Sequence, residues 1–252
     1  MKATARPALP DAPVRASAVV LARGGSKRIP RKNAKPFRGR PLLCWPAQAA
    51  LDWGQFDQVW ISTDCPEIEA LALDLGLQTL GLRSPQAASD SASTTQALTE
   101  CVQTLARLGP LPEHLCAIYA SAAFLTPSLL SAAAAKLNEG PFDLVFPVIR
   151  YSHPIWRALE RDGAGQTAFV WPEHALSRTQ DLPVAYHDAG QFYFFRTRTL
   201  LETGSLMGGR TATLELPETQ CHDIDSLIDW ELAELKHERL AARLTPFQDI
   251  QT

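Results

Sequence analysis

Short apolar runs alternate with amphipathic segments over the first 150 residues, and this alternation constrains the fold more than any other feature. The pattern predicts strands at 18–22, 59–64, 78–82, 115–120 and 143–148, and helices at 41–52 (begun by Pro41), from Pro66, at 93–108 and at 127–137. Strands separated by helices are typical of right-handed βαβ crossovers. We therefore predict a Rossmann-like α/β fold with a mostly parallel sheet flanked by helices.

The pattern changes after Arg150. Residues 151–187 are rich in Pro, His and Trp and contain no good helix, so we expect a small inserted lobe that binds substrate or forms a dimer interface. Strands at 190–196 and 211–216 and a closing helix at 226–244 follow. Prolines and charges interrupt residues 1–15, which we expect to be a disordered leader, and this leaves 16–252 as a single domain.

Charge and cysteine content argue against several functional classes. The formal net charge of −3 is unlike that of a nucleic-acid-binding domain. No apolar run approaches the length of a membrane span. The five cysteines are odd in number and contain no C-x-x-C pair, which indicates reduced thiols and not a disulfide framework or a zinc site. We therefore expect a cytoplasmic protein that binds neither nucleic acid nor membranes.

Basic residues are concentrated in one part of this acidic chain. Residues 12–51 contain nine Lys or Arg and no carboxylate, and the segment 23–33 (RGGSKRIPRKN) directly follows the first predicted strand. It contains neither the G-x-x-x-x-G-K-[ST] loop nor the G-x-G-x-x-G dinucleotide turn. A solvated basic loop is one interpretation. Its position after a buried strand, in a chain of negative net charge, favours a phosphate-binding loop.

Each residue type in this loop suits a polyphosphate. Gly24 and Gly25 lack Cβ, so their backbone N–H groups can approach an anion and form a concave nest. Lys27 and Lys32 supply mobile point charges, and the planar Arg23 guanidinium can bind two phosphate oxygens. The loop therefore predicts a site for a nucleoside triphosphate or a similar anion.

A second signal is the segment 222–225 (HDID). In extended backbone Asp223 and Asp225 point to the same side and could share one hard cation, such as Mg²⁺, with substrate phosphates completing its shell. The alternative is a helix cap, formed by Asp225 or Ser226 with Asp229 at capping-box distance. The acidic pair alone does not decide between them. Beside a polyphosphate loop the metal site is favoured, because triphosphate chemistry needs charge neutralisation.

Polar groups follow several of the predicted strands: segment 23–33, Thr63-Asp64, Ala120-Ser121 and the acidic pair. In open α/β sheets ligands bind at the carboxyl ends of strands. We therefore expect these groups to meet in one crevice.

At this point a family resemblance is visible. Segment 22–33 (ARGGSKRIPRKN) resembles the signature of the cytidylyltransferases that activate nonulosonic acids, the sialic-acid-like sugars. Segments 177–181 (SRTQD) and 186–193 (YHDAGQFY) are more similar to the pseudaminic acid branch than to the N-acetylneuraminate branch, and segment 222–225 fits the family's metal motif. The resemblance spans residues 17–235.

The resemblance implies that CTP and a nine-carbon sugar acid, pseudaminic acid, give a CMP-sugar and diphosphate with Mg²⁺, for surface glycans or flagellin. N-acetylneuraminate or legionaminate is the alternative substrate, and a non-catalytic nucleotide-sugar-binding protein is the alternative from another class. By position it implies catalytic roles for Arg23, Lys27 and Lys32, a CTP site and two metal ligands. The CTP site comprises Ala22, Arg23, Gly24, Gly25, Ser26, Lys27, Asn33, Arg83 and Thr94, and the metal ligands are Asp223 and Asp225.

A sugar acid presents a carboxylate and several hydroxyls. Arg178 could pair bidentately with the carboxylate. Gln180, His187 and Gln191 could read hydroxyl or N-acyl groups, and Tyr193 could form an apolar wall. A structural histidine and a strand core are the alternatives for His187 and its aromatic neighbours. The lobe at 151–187 is also where we expect two copies to form a homodimer.

Overall fold

The structure, a computed structural model, describes residues 16–89 and 92–244. The expected leader at 1–15 lies outside them. The strands are β1 (Ala16–Ala22), β2 (Pro36–Phe37), β3 (Arg40–Pro41), β4 (Phe56–Thr63), β5 (Gln78–Leu82), β6 (His114–Tyr119), β7 (Leu144–Arg150), β8 (Leu159–Arg161), β9 (Thr167–Phe169), β10 (Tyr186–Asp188), β11 (Phe192–Arg196) and β12 (Thr211–Leu216). The helices are α1 (Cys44–Trp53), α2 (Pro66–Asp74), α3 (Pro85–Ala88), α4 (Thr94–Leu108), α5 (Pro127–Glu139), α6 (Thr197–Thr203) and α7 (Leu227–Leu244).

An eight-stranded sheet forms the centre of the molecule. β1 pairs in parallel with β4 and β6, β4 with β5, and β12 with β7. β11 runs antiparallel between β6 and β7, and β10 is antiparallel to β7. The predicted α/β fold with a mostly parallel sheet is thereby confirmed.

Helices cover both faces of this sheet. Alternate residues of β1 point to opposite faces, and all seven are buried. Val20 packs in the cluster that includes residues of α1, α2 and α5, whereas Val19 packs in the cluster that includes α4 and α6. β1 therefore has no polar face, as expected of a central parallel strand.

Two predicted features differ in the structure. The first helix begins at Cys44, because Pro41 instead pairs with Pro36 in the small β2–β3 hairpin. This hairpin buries Phe37 against Trp230 of α7, with ring centroids 5.5 Å apart. In α7 the apolar face formed by Ile228, Leu232 and Leu235 is exposed, and the opposite face, with Trp230 and Ala233, is buried.

Residues 151–185 form a small lobe outside the main sheet. It contains the β8–β9 hairpin and short 3₁₀ turns. The Trp156 indole N–H donates to the Pro183 carbonyl at 2.9 Å, and the Trp156 and Trp171 rings lie 5.6 Å apart. Across the described residues, none of the helices has the length and apolar character required to cross a membrane.

Candidate active site

A cleft of about 770 Å³ opens at the carboxyl ends of β1 and β6. The basic loop, the start of α4, the β10–β11 turn and the acidic segment surround it. It is lined by Leu21, Arg23, Gly25, Ser26, Lys27, Arg28, Lys32, Asn33, Arg83, Ala87, Ala92, Ser93, Thr94, Ala97, Tyr119, Ala120, Ser121, Asp188, Gly190, Tyr193, Asp223 and Asp225. Three of the four groups expected to converge therefore line one cleft, whereas Thr63 and Asp64 do not line it, and Asp64 instead holds the Gly24 N–H.

The basic loop is held by contacts at both of its ends. The Gly24 N–H donates to Asp64 Oδ1 at 2.8 Å, next to the end of β4. The buried Asn33 amide donates to the Arg23 carbonyl at 2.9 Å and closes the loop on itself. Ile29, fully buried, anchors the middle of the loop in the cluster that contains Trp230. The loop is thus pre-shaped, and four of its five cationic side chains line the cleft, the exception being Arg31, which pairs with Glu67.

Gly24 fits tightly. A Cβ at this position would lie 2.7 Å from the Cβ and 3.3 Å from the Sγ of Cys65, whereas a Cβ on Gly25 would meet nothing within 4 Å. Gly24 is therefore required by the close approach of the loop to the start of α2. Gly25 instead opens into the cleft.

Arg83 is the most firmly placed cation. Its Nε donates to Ser62 Oγ at 2.7 Å and its Nη2 to the Ser62 carbonyl at 2.6 Å. Burial lowers the pKa of this guanidinium from its ordinary value, and its usual pKa is so high that it remains charged. Arg83 therefore presents a fixed positive charge on the cleft wall.

Thr94 and two tyrosines line the opposite part of the cleft. Thr94 begins α4, whose capping box is formed by Ser93 and Gln96. Its hydroxyl lies 2.7 Å from the Tyr119 hydroxyl, and the Tyr119 and Tyr193 rings meet edge to face at 5.8 Å. This part of the cleft therefore offers hydroxyls on rigid supports.

The acidic segment contacts the basic loop directly at the edge of the cleft. Lys32 Nζ donates to the Ile224 carbonyl at 2.7 Å and lies 3.7 Å from Asp225 Oδ1, and Arg28 Nη2 lies 2.9 Å from Asp225 Oδ2. The Asp223 side chain opens into the cleft, but desolvation by the protein around it, together with the charge of Asp225, raises its pKa. The site therefore has a carboxylate pair that a cation would stabilise.

The alternative interpretation, a helix cap, is also present in the structure, and it is formed by Ser226 and Asp229. The Ser226 hydroxyl accepts from the Asp229 N–H at 3.2 Å, and Asp229 Oδ2 accepts from the N–H groups of Ser226 at 2.7 Å and Asp225 at 3.1 Å. None of these bonds uses the side chains of Asp223 or Asp225. Capping therefore leaves both carboxylates available for a ligand.

α7 also fixes the other end of the acidic segment. Lys236 Nζ donates to the carbonyls of Glu218 at 2.9 Å and Cys221 at 3.2 Å, and lies 3.1 Å from His222 Nδ1. Desolvation and the charge of Lys236 lower the pKa of His222, which favours its neutral form. The segment between Cys221 and Ser226 is thus tied to α7 at both ends.

The donor set fits a hard cation only in part. Two carboxylate oxygens are suitable ligands for Mg²⁺, and the carboxylate of Asp223 is so close to Gly190 that a Cβ there would approach it to 3.4 Å. Within 16–89 and 92–244, no group of three or more His, Cys, Asp or Glu could hold a metal. Asp223 and Asp225 would therefore need substrate phosphates or water to complete a coordination shell.

The structure does not bring every predicted site residue to this cleft. Ala22 is buried inside the sheet. Arg178 and Gln180 are exposed on the lobe, where Arg178 Nε pairs with Asp181 Oδ2 at 2.7 Å. Their predicted contacts with a sugar stay predictions.

Two residues near the β10–β11 turn are also absent from the cleft lining. His187 points away from the cleft-lining Asp188 because successive strand residues alternate, and its ring packs on Tyr151 at 4.9 Å. Gln191 is buried, and its amide has no hydrogen-bond partner in the described part of the chain. Of the five residues proposed for the sugar, Tyr193 alone lines the cleft.

The sequence reasoning missed Tyr119 and Asp188. Tyr119 ends β6, next to the Ala120-Ser121 pair that was expected in the crevice. Asp188 lies within segment 186–193, but no sequence pattern distinguished it from its neighbour His187. Because side chains alternate along a strand, His187 and Asp188 point to opposite faces of β10, but this alternation does not say which face meets the cleft.

Comparisons with known proteins show which family this chain belongs to. A family model described as cytidylyltransferase matches residues 17–205. The pseudaminic acid cytidylyltransferase of Campylobacter jejuni (serotype O:23/36) is 35% identical over 217 residues, covering 86% of this chain and 94% of that protein. The N-acylneuraminate cytidylyltransferase of Oncorhynchus mykiss is 39% identical over 219 residues, covering 86% of this chain and 49% of the fish protein.

Solved structures share the fold at low identity. A CMP:2-keto-3-deoxy-manno-octonic acid synthetase in complex with CTP superposes with a TM-score of 0.63 at 16% identity, covering 92% of this chain and 100% of the other. A 4-diphosphocytidyl-2C-methyl-D-erythritol synthase from Anaerococcus prevotii gives a TM-score of 0.61 at 12% identity, covering 89% of this chain and 99% of the other. The family match and the curated relatives go beyond the fold and show that this chain is a nucleotidyltransferase belonging to the cytidylyltransferase family.

Proposed function

We propose that this protein transfers CMP from CTP to a nonulosonic acid, with pseudaminic acid as the preferred acceptor. The observation that carries the proposal is the cleft, in which a basic, glycine-containing loop faces two carboxylates at the carboxyl end of a parallel sheet. Because the chain belongs to the cytidylyltransferase family, we take CTP as the nucleotide substrate. We take pseudaminic acid as the sugar because the Campylobacter relative is a pseudaminic acid cytidylyltransferase and matches this chain over 94% of its own length.

In this proposal the triphosphate binds to the basic loop. Arg23 and Lys27 neutralise phosphate oxygens, and the Gly25 and Ser26 backbone approaches them closely. The base lies towards Thr94, where three alanines leave space for a small pyrimidine ring: Ala87, Ala92 and Ala97. Arg83 contributes a fixed charge near the nucleotide.

The reaction is an in-line substitution at the α-phosphorus. The anomeric hydroxyl of the sugar acid loses its proton to solvent as its oxygen forms the new P–O bond. The bond from the α-phosphorus to the bridging oxygen of diphosphate breaks, and diphosphate leaves with the electron pair. Lys32 belongs to the basic loop, and its Nζ lies 3.7 Å from Asp225 Oδ1, so it places positive charge where the phosphates meet the acidic segment. We propose that Asp223 and Asp225 hold Mg²⁺, which when bound stabilises the negative charge that develops on the phosphoryl oxygens.

A second candidate acceptor is an N-acylneuraminate. The Oncorhynchus enzyme is slightly more identical to this chain, at 39%, than the Campylobacter enzyme, at 35%. The shape of the sugar end of the cleft decides between the two acceptors.

We also propose a cytoplasmic homodimer. The lobe exposes Leu176 (97%), Leu159 (58%) and Val184 (48%), which a second copy could cover. All five cysteines are free, which suits a reducing compartment where CTP is available.

The test measures diphosphate release from CTP with a panel of nonulosonic acids. We expect turnover with pseudaminic acid to exceed turnover with N-acetylneuraminate and legionaminate, and CTP to exceed UTP. Asp223→Asn and Asp225→Asn should each lower turnover by roughly 100-fold or more, because each removes an anionic ligand while preserving shape.

Asp57→Asn is the matched control, since Asp57 is exposed near the start of β4, away from the cleft. Calorimetry of CTP binding with and without Mg²⁺ separates metal binding from chemistry: Mg²⁺ should tighten CTP binding in wild type and not in the two variants. Absence of diphosphate release with every sugar acid would overturn the proposed function. Full activity of both variants at limiting Mg²⁺ would overturn the metal assignment alone.

A further inference from the structure

β10 and β11 behave as one antiparallel strand with an interruption. Both pair with β7, but the six residue steps from Asp188 to Phe194 correspond to only three steps on β7, from Val148 to Val145. The extra residues form a bulge at 189–191, with Gly190 at φ 63°. Bulges beside active sites re-aim side chains, and this one ends at the cleft.

The bulge directs Asp188 into the cleft and holds it there. Asp188 Oδ1 accepts the Gly190 N–H at 2.7 Å, and Oδ2 accepts the Tyr193 hydroxyl in a short hydrogen bond. Asp188, Gly190 and Tyr193 all line the cleft together with Asp223. The carboxylate is therefore fixed next to the acidic segment.

Tyr193 is a rigid support for this carboxylate. Its ring is 9% exposed and packs against Tyr119 at 5.8 Å and Phe146 at 5.5 Å. Burial and the hydrogen bond to Asp188 raise its pKa far above the ordinary value, so the phenol stays a donor. Rotation of Asp188 out of this position would break its hydrogen bond to Tyr193.

Asp188 retains hydrogen-bonding capacity. An ionised carboxylate has about four acceptor positions and no donor. The two neutral donors on Asp188 occupy one position on each oxygen. The remaining positions can accept hydrogen bonds from N–H or O–H groups of a ligand.

Charge decides which end of a sugar acid Asp188 can meet. The carboxylate of the sugar would be repelled by Asp188 and attracted by cations of the cleft lining on the β4 side of the sheet, such as Arg83. Neutral donors, such as hydroxyl and acylamino N–H groups, have the opposite preference. Asp188 therefore orients the acceptor as well as binding it.

Building on the proposed function, we infer that Asp188 is a specificity-determining residue that accepts hydrogen bonds from hydroxyl or acylamino N–H groups of the sugar acid, held in place by the Gly190 N–H and the Tyr193 hydroxyl. This assigns the sugar end of the cleft to the β10–β11 bulge. It does not require Arg178 or Gln180 of the same chain.

The test uses Asp188→Asn in the full chain, with steady-state diphosphate release as the assay. An amide accepts on one oxygen only, so we expect KM for the sugar acid to rise about tenfold or more while KM for CTP stays within about twofold. Asp57→Asn is again the control, because that carboxylate is exposed near the start of β4, away from the cleft. It should change neither constant.

Tyr193→Phe is the second variant, and it carries the test if Asp188→Asn does not fold. It keeps the carboxylate but removes one of the donors that hold it, so KM for the sugar acid should rise in the same direction by a smaller factor. An unchanged sugar KM in a folded Asp188→Asn protein would overturn the inference. So would a change limited to KM for CTP or to the Mg²⁺ requirement, which would instead show that Asp188 acts on Asp223 through Gly190. Wild-type inactivity with all sugar acids is a different result and counts against the proposed function.

Discussion

Replacing Gly24 by alanine should destabilise the protein, whereas the same change at Gly25 should not. The added Cβ at Gly24 would lie 2.7 Å from Cys65 Cβ, about 1 Å closer than the usual carbon–carbon contact. Neither atom is at the end of a flexible side chain, so the loop must move away from α2 and weaken the Gly24 N–H bond to Asp64. We expect a loss of about 1–3 kcal/mol in the free energy of unfolding.

Urea unfolding of Gly24→Ala and Gly25→Ala measures this difference. Gly25→Ala should be neutral or slightly stabilising, because its Cβ meets nothing within 4 Å. Cys65→Gly in the Gly24→Ala background should restore most of the loss, since Cys65 makes no side-chain cap bond to α2 and glycine is tolerated at an N-cap. Equal losses for the two alanine variants, or no recovery in the double variant, would refute the packing argument.

Two further predictions concern charge. Arg28→Gln breaks the exposed ion pair with Asp225 and should lower the Mg²⁺ concentration for half-maximal activity by up to about fivefold, as expected for a surface pair worth about 1 kcal/mol or less; a higher Mg²⁺ requirement would instead assign Arg28 to phosphate binding. Burial lowers the pKa of His114 in the folded protein. The contribution of neutral His114 to the free energy of unfolding should therefore be complete above the unfolded pKa of about 6.5 and should decrease as the pH falls from there towards the folded pKa. His114→Phe should flatten this dependence in urea titrations on either side of that pH, and an unchanged slope would contradict the assignment.

Most of the fold could be predicted from the sequence, because buried parallel strands have a local signature. β1 is apolar at nearly every position, and β5 was predicted with the same limits that the structure shows, Gln78–Leu82. The start of α1 could not be predicted, since Pro41 is as suitable for a first helical turn as for a strand pair. The burial of Phe37 by α7, almost 200 residues later in the chain, stabilises the hairpin.

The candidate site was predictable where its residues are adjacent in sequence. The basic loop and the acidic pair were recognised because each motif lies within a few residues. Asp188 was missed because its role depends on a three-residue register shift against β7, which is a property of two strands together. Arg178 was assigned to the sugar from its chemistry alone, and its position depends on how the lobe folds and on what covers it.

The lobe leaves and re-enters the sheet at neighbouring positions. Arg150 and Tyr186 are directly paired, and the Tyr151 N–H donates to the Ala185 carbonyl at 3.0 Å. The two ends are therefore as close as the ends of a hairpin, so the 35 residues from 151 to 185 occupy the place of a simple turn. The lobe of a chain with this architecture can therefore be replaced by another segment without changing the strand register or the nucleotide end of the cleft. Such a replacement would change the assembly surface or the acceptor preference.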